Sequence, residues 1–141
     1  MKNTIFLASS MDFYKELVEI EKQLELKGFK VDIPYSAQTM KKNNDFEVAH
    51  FKGVFTHKQK GGFIHSNFDK IAKSDSLLVI NNDKKGIKGY IGTNVLMEIA
   101  IAFYFKKNIY ILNPIEDNAS FTEELFAFGV KFINGDLDNV S

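Results

Sequence analysis

Short apolar runs rich in β-branched residues recur along this chain, and between them lie stretches whose apolar residues return at helical spacing. That alternation is the strongest constraint on the fold. Asn3 to Ala8 is one such run, followed by Ser9 and Ser10, and Asp12 to Lys27 then repeats Phe13, Leu17, Ile20, Leu24 and Leu26 at helical intervals. Gly28 ends that helix, and Phe29 to Ile33 alternates as a second strand before Pro34. Further along, Phe63 to Lys73 predicts a helix, with Phe63, Phe68, Ile71 and Ala72 available to one face. Asp75 to Ile80, with its SLLVI run followed by Asn81 and Asn82, predicts a strand buried on both sides. A helix inside Gly89 to Phe105, a strand at Asn108 to Leu112 closed by Asn113 and Pro114, a short helix near Phe121 to Phe128 and a last strand at Val130 to Ile133 complete the series.

A strand, helix, strand order implies parallel pairing, so the expected fold class is α/β: a doubly wound, mostly parallel five-stranded sheet in a flavodoxin-like (Rossmann-like) three-layer sandwich. The length of 141 residues predicts one domain spanning 1–141. Only Tyr35 to Gly62 breaks the pattern. It is polar and lysine-rich with scattered aromatics, and it predicts a long loop with one helical turn around Phe46 to Phe51, serving as a lid or as a surface insertion with no role.

Composition removes several function classes. Lysines and acids balance at 18 each, so no strong field favours a nucleic acid polymer or a membrane surface. There is no arginine, so a phosphate must be met by lysine, hydroxyls, backbone amides or a helix start. Cysteine is absent, which excludes disulfides, thiol catalysis and thiolate metal sites. His50, His57 and His65 lack tight ligand spacing, so neither a metal nor a cofactor is expected. The opening MKNTIFLASSMDF holds too short an apolar stretch for a signal peptide, and no run reaches membrane-span length, so a cytoplasmic protein is expected.

The run GYIGTNVLMEIAIAFYF, Gly89 to Phe105, carries a single charge, Glu98. On a helix starting near Thr93 or Asn94, the neighbours of Glu98 are Asn94, Val95, Ile101, Ala102 and Phe105, while the wetter side runs through Thr93, Met97, Ala100, Tyr104 and Lys107. An ionised carboxylate on the drier side costs several kcal/mol unless it is paired or opens onto a cleft. Carboxylates so placed are candidates for chemistry. The plainer alternative is an acid favoured by the helix macrodipole, although Glu98 falls in the second turn.

In a doubly wound sheet, ligands sit beyond the carboxyl ends of the strands at the switch point. Ser9 and Ser10 stand there, as donors suited to a phosphate or ribose. So does the glycine-spaced, lysine-bearing loop after the SLLVI strand, which offers Asn82, Asp83, Gly89, Tyr90, Gly92 and Asn94 as candidate ligand-binding residues. That loop is neither GxGxxG nor a Walker loop, and it could equally be an ordinary turn. Asp69, in His65 to Ile71, would alone be read as a solvated helix acid. A second carboxylate beside Glu98 is nevertheless what glycoside chemistry calls for.

Ser9-Ser10 after the first strand, Asp69 two residues before Ile71, SDSLLVI, a glycine-bearing loop, Glu98-Ile99-Ala100-Ile101-Ala102 and Lys107 to Leu112 together resemble the nucleoside 2-deoxyribosyltransferase superfamily over nearly the whole chain. The resemblance implies that Glu98 attacks the anomeric carbon of a nucleoside and that Asp69 helps hold the sugar and the catalytic carboxylate. It further implies that Ser9 and Ser10 match first-loop serines which hold a 5′-phosphate in a nucleotide-hydrolysing branch. One departure stands out. The transferases place an aspartate and Gly-Ser or Gly-Thr shortly before the glutamate, whereas this chain has Gly89-Tyr90-Ile91-Gly92-Thr93-Asn94, with Asp83 the nearest acid upstream.

The expected activity is cleavage or transfer at the N-glycosidic bond of a small-molecule nucleoside or nucleotide, through a glutamate nucleophile. The alternative is a non-catalytic nucleotide-binding or sensing domain of the same fold. Either is compatible with a homodimer or higher homo-oligomer built on the apolar helix and on some of the 14 phenylalanines.

Overall fold

The computed structural model describes residues 3–117 and 119–141. Five strands, β1 (Thr4–Ser9), β2 (Lys30–Asp32), β3 (Ser76–Ile80), β4 (Asn108–Ile111) and β5 (Lys131–Phe132), form one sheet in the order β2-β1-β3-β4-β5. Every pairing is parallel. This is the doubly wound, flavodoxin-like arrangement that the strand and helix alternation predicts. The helices are α1 (Tyr14–Leu26), α2 (Tyr35–Asn43), α3 (His57–Lys73), α4 (Thr93–Tyr104) and α5 (Thr122–Ala127).

Strand periodicity of two divides the core between the two faces of the sheet. Ile5, Leu7, Leu78, Ile80 and Tyr110 point to one face, where Leu17 and Leu24 of α1, Ala37 and Met40 of α2, and Leu137 close over them. Phe6, Ala8, Leu77, Val79, Ile109 and Ile111 point to the other, against Ile71 of α3, Val95, Ile99 and Ala102 of α4, and Leu125 of α5. Both faces of β1, β3 and β4 are thus covered, which accounts for their near-continuous apolar runs.

The segment from Tyr35 to Gly62 corrects the sequence reading, because much of it is helical. Pro34 supplies a φ of −56° and a ψ of 148° ahead of α2, and Asn44 ends that helix in the left-handed region at φ 50°. Helix α3 begins at His57, not Phe63. Thr56 and Gln59 form a reciprocal capping box that satisfies two backbone donors at its start. Gly61 and Gly62 therefore lie inside a helix, where each lowers its stability by about 1 kcal/mol relative to alanine, a cost set against the cap. Between the two helices, a single 3-10 turn at Val48–His50 falls within the stretch expected to hold a helical turn.

Candidate active site

The strand order reverses between β1 and β3, and a cleft of about 720 Å³ opens there, beyond their carboxyl ends. Its walls come from the loop after β1 and the start of α1, the start of α2, the segment leading into α3 and one side of α3 itself, the loop after β3, and the first two turns of α4.

Glu98 lies in this wall on the second turn of α4, only 6 % exposed. Gly92 caps that helix without a side-chain hydrogen bond, so the bounds Thr93–Tyr104 place Glu98 on the same side as Val95 and Ala102, which are buried against the sheet. Removal from water pushes its carboxyl up from the ordinary 4.5 to about 8, and a hydrogen bond from the Asn67 side chain acts in the opposite direction. Tyr14, at the start of α1, is close enough to feel the charge of Glu98. Its phenol is pushed up to about 12, mainly by burial, while a 2.7 Å hydrogen bond with Ser36 Oγ opposes the rise. Tyr14 therefore keeps its proton throughout the physiological range.

Ser9, Ser10, Tyr90, Gly92 and Asn94 line the same cleft as Glu98. The two serines are already engaged within the protein. Ser9 Oγ donates to the Ser10 carbonyl at 2.9 Å, and Ser10 Oγ accepts from Lys84 Nζ at 3.0 Å and from the Asp12 amide at 3.4 Å. Lys84 in turn pairs with Asp12 at 2.5 Å and lies 4.8 Å from the centre of the Tyr90 ring.

Asp69 is not brought to the cleft. It is exposed and faces His65 at 3.4 Å one turn earlier on α3. Asn67, two residues earlier on that helix, does line the cleft, because residues two apart on a helix point in nearly opposite directions. The Asn67 Oδ1 accepts the Tyr35 backbone amide at 3.3 Å, which leaves its NH₂ group for Glu98. Asn82, Asp83 and Gly89 also stand off the cleft wall and build the loop instead. The Asp83 carboxylate accepts the Gly89 amide at 2.9 Å, and the Asn82 carbonyl accepts the Tyr90 amide at 3.0 Å. Gly89 has φ 61°, and a Cβ there would fall 2.1 Å from the Pro114 carbonyl oxygen. Asn81, fully buried, completes the frame: its amide donates to the Asn113 carbonyl at 2.7 Å and its Oδ1 accepts the Asn113 amide at 2.9 Å, tying the ends of β3 and β4 together.

Sequence reasoning missed Tyr14, Ser36, Asn67 and the aromatics of the α2 to α3 region. Tyr35 stacks on Phe63 at 4.7 Å, Phe63 meets Phe55 edge-on at 4.8 Å, and Phe55 lies 4.9 Å from Phe51. Phe51, Phe55 and Phe63 face the cleft. Among the described residues no group of three or more histidines and acids could hold a metal ion, and no helix is long and apolar enough to cross a membrane.

Comparison with solved structures places this architecture. A CMP N-glycosidase of Clostridium botulinum superposes with a TM-score of 0.56 at 19% identity, covering 92% of this chain and 86% of that one. The fold is that of the nucleoside 2-deoxyribosyltransferases. A 2-deoxyribosyltransferase of Bacillus psychrosaccharolyticus matches with a TM-score of 0.58 at 18% identity, covering 83% of this chain and 77% of its own. A third, from Leishmania mexicana, matches at 0.51 and 12% identity, covering 95% and 76%. No family model matches the sequence, and no curated protein matches it.

Proposed function

We propose that this protein cleaves, or transfers across, the N-glycosidic bond of a nucleoside or nucleotide, with Glu98 as nucleophile. The observation that carries this reading is a single buried carboxylate in the wall of a cleft that is large enough for a nucleotide. The fold shared with a nucleotide N-glycosidase and with deoxyribosyltransferases supports it.

In the proposed reaction the ionised Glu98 attacks the anomeric carbon, and the carbon–nitrogen bond breaks with its electron pair leaving on the base, which takes up a proton from solvent. The glycosyl ester is then opened by water or by an acceptor base, returning Glu98 as a carboxylate. Asn67 and Tyr14 act as positioning residues for that carboxylate. Ser9, Ser10, Tyr90, Gly92 and Asn94 remain candidates for ligand contact, and Asp69 loses its proposed role to Asn67.

One observation favours the second reading, a nucleotide-sensing domain without turnover. Besides Glu98, the only acid in the cleft wall among the described residues is Asp12, and Lys84 holds it. No carboxylate is thus free to manage the leaving-group proton. Chromatographic detection of free base after incubation with nucleosides and nucleotides separates the readings: release by the wild type that disappears in Glu98→Gln supports the enzyme, and ligand-induced thermal stabilisation without release supports the sensor.

A further inference from the structure

The cleft is charged unevenly. Its wall holds Lys52, Lys60 and Lys84, together with His57, against Asp12 and Glu98. Asp12 is consumed by Lys84 at 2.5 Å, so that pair contributes no net charge. The ammonium groups of Lys52 and Lys60 have no carboxylate within ion-pair distance among the described residues, and both residues are exposed. The cationic side of the cleft is therefore the segment leading into α3 and its first turns. At the Ser9-Ser10 loop, by contrast, the Ser9 hydroxyl is spent on the Ser10 carbonyl, and the lysine beside Ser10, Lys84, is neutralised by Asp12.

We propose that the substrate is a phosphorylated nucleoside and that its phosphate is held by Lys52 and Lys60 of this segment rather than by the first-loop serines. This rests on the reading of Glu98 as the group that meets the anomeric carbon. Helix geometry sets the spacing. Lys60, Phe63, Ile64 and Asn67 recur at the interval of one helical face and all line the cleft, and two turns, about 10.5 Å of rise, separate Lys60 from Asn67 at the Glu98 end. A sugar standing on Glu98 with its phosphate directed along α3 fits that interval, with Lys60 reaching back towards it. Phe51, Phe55 and Phe63 supply aromatic surface in the same wall, on which a base or sugar face can lie. With no arginine in the chain, lysine is the one permanently cationic side chain that can do this, and it does so as a point charge.

The test compares the common nucleoside 5′-monophosphates with the matching nucleosides, by calorimetric binding and by base release, in the wild type, in Lys52→Gln/Lys60→Gln and in the control Lys106→Gln, which is exposed at the far end of α4. The expected result is that a monophosphate binds at least about tenfold more tightly than its nucleoside, that this preference weakens as salt rises, and that the double variant reduces it towards unity. Lys106→Gln should leave it intact. Circular dichroism and melting temperature confirm that the variants are folded. Equal affinity for nucleoside and monophosphate, or a preference that survives the double variant, overturns the proposal even if base is released. Lysine-dependent monophosphate binding without base release supports the phosphate site and counts against the enzymatic reading instead. Binding of neither ligand overturns both.

Discussion

Glu98 sits where ionisation is costly, and the cost has a sign that can be measured. Its carboxyl is raised from 4.5 to about 8, so between those values the native state holds a proton that the unfolded chain has already lost. Stability therefore falls as pH rises through that window, by up to about 1.4 kcal/mol per unit. Glu98→Gln has no charge to bury and escapes this loss. Its melting temperature should match the wild type near pH 4 and exceed it by several degrees at pH 8; calorimetry showing a gap that stays constant across the range would contradict the burial argument. The catalytic consequence runs the other way. A nucleophile must be ionised, so kcat/KM for base release should rise with pH up to about 8 in the free enzyme, and Glu98→Gln should lose on the order of a thousandfold or more while still binding ligand. Retention of most of the wild-type activity by Glu98→Gln would exclude a glycosyl-enzyme intermediate. The position of Glu98 was legible from one fact of pattern, a lone acid on the dry side of an apolar helix. Its partners were not, because Tyr14 and Asn67 become neighbours of Glu98 only when α1, α3 and α4 are brought together.

At the scale of elements, the sequence was most informative where periodicity alone decides and least where capping does. β1, β3 and β4 announce themselves as apolar runs because both faces are covered, and β2 and β5 are shorter than expected, with mostly exposed or half-buried residues. The start of α3 was misplaced by six residues because Gly61 and Gly62 dilute the helical pattern, although Thr56 and Gln59 carried the readable signature of a capping box. Asp69 follows from the family resemblance and not from where the helix begins; the α3 side chain that hydrogen-bonds Glu98 is Asn67, two residues earlier. Thr56→Ala tests the cap directly and should lower unfolding free energy by about 1 kcal/mol in urea titration, an effect absent if the helix begins only at Phe63. The loop after β3 makes a sharper prediction. Gly89→Ala places a methyl group against the Pro114 carbonyl at a left-handed backbone position, so on the order of 2 kcal/mol or more of stability should be lost as the loop shifts. A wild-type melting curve for Gly89→Ala would show that the close approach is not required.

At the scale of the whole molecule, the strand order followed from the sequence because parallel strands joined by short helical crossovers have few permitted topologies. Assembly is a separate matter, and the surface argues for it. Phe103, Tyr104 and Phe105 at the end of α4 are exposed, Tyr104 at 76 %, and Phe126 of α5 is exposed as well. Phe103 stacks on Phe128 at 4.5 Å and Phe126 meets Phe132 edge-on at 6.4 Å, so aromatic surface from α4, α5 and β5 is presented around these residues. Exposed aromatics of this kind are candidates for an interface, and a second copy of the same chain is the commonest occupant. A homodimer or larger homo-oligomer is therefore expected by light scattering at micromolar concentration, and a monodisperse monomer would overturn it. Tyr104→Glu with Phe126→Glu should move the protein to a smaller species without unfolding it, because both side chains are exposed in the isolated chain. The cleft lies at the other end of α4, beside Thr93 to Glu98, so ligand binding by the dissociated form then shows whether a single copy holds a complete site.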